Sequence, residues 1–311
     1  MAGKTGSWGF MPSSQSTASL QASANVVAMT DMPLPFNMPN WSYKTERGDF
    51  FSFNEIYGHN GPDQIIGGML GDKLHGLGSH DTIWGLDGDD TIHGDGGNDE
   101  LFGGNGDDVI SGGEGFDTIV GGDGDDELIV YGASDRVYGE DGDDSFDLGY
   151  SLGKDTGNHH AYGGAGDDEF VIHKPGRATA WGGQGNDTFD VHGTGSVYGE
   201  DGFDVLISNR ADDDYHRKMH ILGGGADGDH FKVRAWQFSN KDVIILDFSA
   251  AEGDAFTLSG EGGFNYDTNK DGKLSAADNQ VNVSHGNLTI ADDNWTVSLL
   301  NVTEVDLTSW Y

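Results

Sequence analysis

The chain has 311 residues, with 53 acidic against 16 basic side chains and a net charge of −37. That charge excludes a nucleic-acid binder, because phosphates would be repelled, and it favours cations as partners. With no cysteine, disulfides and thiolate metal centres are excluded, and no apolar run is long enough to span a membrane.

Residues 1–49 read as an N-terminal extended segment. It is rich in Ser, Ala and Met, contains Trp8 and Trp41, and is too short and polar for a catalytic domain. Met1–Phe10 lacks the basic-then-apolar profile of a signal peptide. Alone such a segment would not fold, and packing on a neighbour is one way to order it.

From Gly58 the sequence divides every nine residues without a gap, through ten units to Asp147. One reads Gly85-Leu86-Asp87-Gly88-Asp89-Asp90-Thr91-Ile92-His93, another Gly103-Gly104-Asn105-Gly106-Asp107-Asp108-Val109-Ile110-Ser111. The sixth position is always aspartate: Asp63, Asp72, Asp81, Asp90, Asp99, Asp108, Asp117, Asp126, Asp135 and Asp144. The eighth is always apolar, from Ile65 to Phe146. Glycine permits the positive φ of a tight turn and frees carbonyls to face an ion, aspartate adds a hard charged oxygen, and the last three residues suit a short strand with its middle side chain inward. One such strand buries no core, so the units must stack.

This unit resembles the RTX (repeats-in-toxin) nonapeptide, G-G-x-G-x-D-x-U-x. The resemblance implies an all-β fold, a right-handed parallel β-roll with two units per turn, and several calcium ions held between turns by the aspartates and glycine-turn carbonyls. Phe116, Phe203 and the pair Val130-Tyr131 depart from the pattern. Past Asp147 the motif returns only around Asp168, Asp187 and Asp204, separated by motif-free turns such as His173-Lys174-Pro175-Gly176-Arg177. One edge of the roll should therefore carry a long row, Asp72, Asp90, Asp108, Asp126, Asp144, Asp168, Asp187 and Asp204. The other should carry a shorter row, Asp63, Asp81, Asp99, Asp117 and Asp135. The roll is expected over residues 50–233.

The ninth positions face outward and alternate between the two sheets. One sheet shows a mixed column from His75 and His93 to Ile207. The other shows Ile66, Trp84, Phe102, Val120, Tyr138, Tyr162, Trp181 and Tyr198. At about 4.8 Å per strand that is an apolar ladder roughly 35 Å long, larger than a monomer ordinarily exposes. Its expected cover is the chain's own Met29–Met38 region or a second copy, with a polysaccharide behind these.

Residues 234–311 read as a C-terminal β cap. The run Asp242–Ser249 with Gly253–Leu258 resembles the closing strands of serralysin-type proteases and RTX lipases, which implies an uncleaved type I secretion signal and an extracellular or cell-surface location. Within it, Asp267, Asn269, Asp271, Lys273 and Asp278 match an EF-hand loop, with Asp in place of Glu at the last position. From Leu288 to Tyr311 polar and apolar residues alternate as in strands.

Gly149-Tyr150-Ser151-Leu152-Gly153 matches the nucleophile elbow, but that motif needs an α/β sheet beneath it. No H-E-x-x-H is present, so a serralysin-type protease is excluded. His159, His160, His216 and His220 could ligate a transition metal but read more simply as surface polar residues. The preferred reading is a non-enzymatic, calcium-folded structural or assembly protein of a surface layer, matrix or filament. The alternative is an RTX protein that binds or modifies polysaccharide.

Overall fold

The computed structural model describes residues 26–28, 55–149, 157–173, 177–209, 218–234, 241–259, 273–275, 281–292, 295–302 and 305–306. Among these the secondary structure is strand and turn, with no helix long and apolar enough to cross a membrane. Successive strands alternate between two sheets, so one circuit of the chain adds one strand to each. Sheet I has 12 strands, from Val26–Ala28 and Glu55–Tyr57 to Ala255–Ser259, and all its pairs are parallel. Sheet II has 13, running from Gln64–Ile66 through Lys241–Ile245 to Trp295–Leu299 in parallel. It closes with Asn287–Asp292 and Val281–Ser284 in antiparallel. This is a parallel β-roll.

The register is set by the repeat. Ile65 pairs with Ile83, Ile83 with Leu101 and Leu101 with Ile119, a step of two nonapeptides. Sheet I repeats the step with Leu74, Ile92, Ile110 and Leu128. Each of these side chains is fully buried between the sheets. Further along, sheet I stacks Phe146, Phe170 and Phe189 at 4.3 and 4.6 Å between ring centroids. Sheet II sets Ala161, Ala180 and Val197 in its matching inward column. Large residues on one layer are offset by small ones on the other, which keeps the inter-sheet volume near constant.

The roll widens after residue 126. Sheet I strands grow from three residues, Val109–Ser111, to four, Glu127–Val130, and a second inward column begins with Val130, Leu148, Ile172 and Val191, all fully buried. From sheet II the facing column continues that of Asp135 as His159, Ala178, Gly195 and His220. A Cβ on Gly195 would lie 3.0 Å from Ile172 Cδ1. The shorter aspartate row stops here because its column has become core, where a free carboxylate would be desolvated without compensation.

The expected boundary at residue 233 is not a break. Phe231 pairs with Phe256, Leu222 with Ile245 and Ile245 with Leu299, so both sheets continue through the region expected to be a separate cap. Residues 1–49 lie outside the described residues except Val26–Ala28, which adds a parallel strand beside Glu55–Tyr57.

Candidate metal sites

Each turn between strands places its aspartate at the mouth of the next strand. The two rows lie on opposite edges of the roll. Along each row, one carboxylate oxygen accepts the main-chain N–H of the aspartate one turn earlier. Asp90 N donates to Asp108 Oδ1 at 2.7 Å, Asp108 N to Asp126 Oδ1 at 2.8 Å and Asp126 N to Asp144 Oδ1 at 2.9 Å. The other edge repeats the link from Asp63 through Asp81, Asp99 and Asp117 to Asp135.

The second oxygen is different. Oδ2 of Asp81, Asp90, Asp99, Asp108, Asp117, Asp126, Asp144, Asp168, Asp187 and Asp204 is buried and accepts no hydrogen bond. A buried carboxylate oxygen left in that state is costly. Glycine backbones surround it. A Cβ on Gly94 would lie 2.5 Å from both Asp99 Oδ2 and the Gly112 carbonyl oxygen. On the other edge a Cβ on Gly103 would collide with Asp108 Oδ2 and approach the Gly121 carbonyl oxygen to 2.7 Å. At Gly104 and Gly106 φ is +127° and +128°, which turns the loop carbonyls along the edge at little cost only for glycine.

Among the described residues, no three His, Cys, Asp or Glu side chains converge on one point. A metal here must be completed by main-chain carbonyls. That donor set, hard and all-oxygen with one carboxylate per turn, suits calcium and not a transition metal.

The electrostatics agree. Burial pushes the carboxyls of Asp90 and Asp168 up to about 8 and those of Asp117, Asp126, Asp144 and Asp204 up to about 7. The N–H donated along the row opposes the shift, and the neighbouring aspartates of the row add to it. Such carboxyls are neutralised by protons in acid, and above neutral pH a bound cation can supply the compensating charge.

The ends of the rows are closed by protein groups. Asp63 Oδ2 accepts the His59 main-chain N–H at 2.6 Å. Asp135 Oδ2 lies 3.0 Å from His159 Nδ1. The long row does not stop at Asp204. Asp204 N donates to Asp229 Oδ1 and Asp229 N to Asp254 Oδ1, both at 3.0 Å. Asp254 Oδ2 then accepts the Ser249 N–H at 2.7 Å. Asp229 and Asp254 are absent from the sequence-derived rows. Asp229 follows Asp204 by 25 residues and its turn reads Gly224-Gly225-Ala226-Asp227-Gly228-Asp229, with the second turn glycine displaced by one. The Gly-Gly pair and the following Asp-His-Phe were the available signal.

Of the EF-hand-like residues, Asp267, Asn269, Asp271 and Asp278 lie outside the described residues, as does Ser151. Lys273 opens a two-residue strand, Lys273–Leu274, antiparallel to Val305–Asp306.

The histidine reading needs correction. His159 and His220 are fully buried, not surface residues. His220 Nδ1 contacts Ser208 Oγ and its Nε2 contacts the Gly193 carbonyl oxygen, each at 2.8 Å. His160 stacks on Trp181 with ring centroids 6.1 Å apart. His216 lies outside the described residues.

Ile66, Trp84, Phe102, Val120, Tyr138, Tyr162, Trp181 and Tyr198 fall in one register along sheet II. All are half-buried. Tyr138, Tyr162 and Trp181 stack at 5.0 and 4.6 Å with planes within 8°, and Trp84 stacks on Phe102 at 6.0 Å.

Two edges of glycine turns, each lined by buried carboxylates that turn one oxygen to the row and the other to a cradle of glycine backbone, define a calcium-binding parallel β-roll. The family model of the RTX calcium-binding nonapeptide repeat matches in four copies, over residues 66–101, 102–130, 120–149 and 176–192. The repeats of this chain are RTX calcium-binding repeats, and they bind calcium at multiple sites. No curated protein matches the sequence. Among solved structures, the extracellular lipase LipA from Serratia marcescens is similar at 16% identity and a TM-score of 0.19, over 86% of this chain and 42% of the lipase. The chain thus spans less than half the length of that enzyme, and nothing about activity follows from the match.

Proposed function

We propose that this protein is a secreted structural component that folds on calcium outside the cell and then assembles, without catalysing a reaction. Extracellular calcium is abundant enough to fill weak all-oxygen sites and cytosolic calcium is not, so the buried carboxylate rows couple folding to export. The observation that carries the assembly reading is the aromatic ladder, eight half-buried apolar side chains in one register on the outer face of sheet II. A face of that size on a strongly acidic protein is a contact surface. Among the described residues, the Ser208–His220 pair has the spacing of a nucleophile and base but is fully buried, so it supports packing and not hydrolysis.

The alternative, polysaccharide binding, draws on two shallow clefts beside the ladder. One is lined by Tyr162, Trp181, Gln184 and Glu200, the other by Trp84, Phe102 and Asn105. A sugar ring stacks on an aromatic face. Here Tyr162 gives its faces to Tyr138 and Trp181, which leaves mainly ring edges outward and favours the assembly reading.

Light scattering of the calcium-loaded chain beside the double variant Trp84→Ser, Trp181→Ser tests the proposal. Assembly lost with calcium-dependent folding intact supports it. A wild-type chain that remains monomeric in calcium, and is retarded in a glycan gel, establishes the alternative.

A further inference from the structure

The outer face of sheet II has two central columns. One is the aromatic ladder. The other, two residues earlier on each strand, is Gln64, Thr82, Glu100, Thr118, Arg136, His160, Thr179 and Ser196. Glu100 and Arg136 are the only acidic or basic residues (histidine aside) in these columns, and they are opposite in sign. Both are exposed, and among the described residues neither forms an ion pair. Their placement is symmetric. Glu100 pairs with Thr118 from one side and Arg136 pairs with Thr118 from the other. Each is one strand, about 4.8 Å, from the strand that carries Thr118 and Val120.

We propose that two copies of this chain pair through these columns about a two-fold axis lying along the Thr118–Val120 strand. The proposal rests on the assembly reading above and names its partner as a second copy. Such an axis keeps strand direction and reverses the order of turns. It sets Glu100 of each copy opposite Arg136 of the other, so one interface contains two opposite-charge pairs. It also sets Phe102 opposite Tyr138, Trp84 opposite Tyr162, and Ile66, the smallest end of the ladder, opposite Trp181. Val120 is the small residue within the aromatic run, and it faces itself on the axis where the two chains must approach.

Moving the axis by one strand destroys the charge match, because Glu100 then faces Glu100 of the other copy or Thr179. The next outward column is compatible as well. Glu140, which pairs with Gly122 and is exposed, falls opposite Gly104 and meets no like charge. Both ladders have the same rise per strand, so their outward ring edges stay opposite one another over the whole contact. An isologous contact requires a self-complementary patch, and this face is self-complementary in charge, size and period.

The test is a charge exchange in the full-length, calcium-loaded chain, read by sedimentation equilibrium. Glu100→Arg alone places two arginines opposite two arginines, and Arg136→Glu alone opposes glutamates. Each single variant should weaken pairing by roughly tenfold or more, because symmetry applies the repulsion twice. The double variant Glu100→Arg, Arg136→Glu should return to within about threefold of wild type. Circular dichroism in calcium checks that all four proteins fold alike. Assembly indifferent to the single changes, or not restored in the double variant, overturns this pairing while leaving assembly standing. A wild-type chain that is monomeric at every concentration overturns both.

Discussion

The Nδ1 atom of His159 lies 3.0 Å from Oδ2 of Asp135, and both side chains are fully buried. His159 stands where the shorter row would place its next aspartate, and it also approaches the Asp135 main-chain N–H at 3.4 Å. The imidazole therefore does for Asp135 what a further turn does for Asp117. Replacing it with alanine removes a buried ring beside a buried carboxylate. His159→Ala should cost about 2–4 kcal/mol in saturating calcium, measured by denaturant unfolding, while the number of ions bound stays unchanged. A loss of bound calcium equal to that of Asp99→Ala would show that His159 supports an ion and does not close the row.

Without calcium the roll should be unfolded near neutral pH and partly restored in acid. The folded-state carboxyls are raised, to about 6 for Asp99, Asp108 and Asp187 and about 8 for Asp90 and Asp168, against about 3.9 in an unfolded chain. A group whose folded pKa lies higher stabilises the fold below its unfolded pKa and loses that contribution as pH rises through the folded value. Circular dichroism in chelator should show coil at pH 8 and more β structure at pH 5. Calcium should remove this dependence by supplying the neutralising charge. Equal β content at both pH values in chelator would contradict the account.

Mid-row and end-of-row aspartates should differ in effect. Asp126→Asn keeps an acceptor for the Asp108 N–H but removes a charge flanked by Asp108 and Asp144. Because neighbouring aspartates are linked along the row, it should lower calcium affinity by about tenfold and flatten the cooperativity of loading. Asp254→Asn should change both less, since Oδ2 of Asp254 is already held by the Ser249 N–H. Asp204 serves poorly as an end position, because Asp229 and Asp254 extend its row. Isothermal titration of the two variants decides.

Leu86 is a strained residue in an exposed place. Its φ is +92° and it is 45% exposed, whereas the residues that follow it in the column are Gly104 and Gly122, with φ of +127° and +135°. A bulky side chain at positive φ costs about 1–2 kcal/mol, and little burial is lost by removing it. Leu86→Gly should raise calcium-loaded stability by up to about 1 kcal/mol after the added entropy of the unfolded chain. A fall in Tm would mean that Leu86 is packed against something.

The repeat was legible because its physics is local. Period nine fixes which aspartate meets which, and the inward apolar column follows from strand alternation. What the sequence hid was the change of cross-section. Nothing in Val130-Tyr131 or His159-His160 states that a second inward column begins there, and without that column His159 and His220 pass for surface residues. Asp229 was hidden for another reason. The spacing of 25 residues from Asp204 and the displaced glycine break the period, although the strand register restores it in space.

The widening near residue 126 gives the molecule a direction. Its first turns are narrow, with one inward residue per strand in sheet I and carboxylate rows on both edges, so their cohesion depends heavily on ions. Later turns carry two inward residues per strand in sheet I and apolar contact along one edge. In a stacked array each turn is held by its neighbours, so order should nucleate in the broad portion and propagate towards Glu55 as ions arrive. As the ion concentration falls, the same gradient should fray the protein from its narrow end, like a zip with a fixed stop at one side.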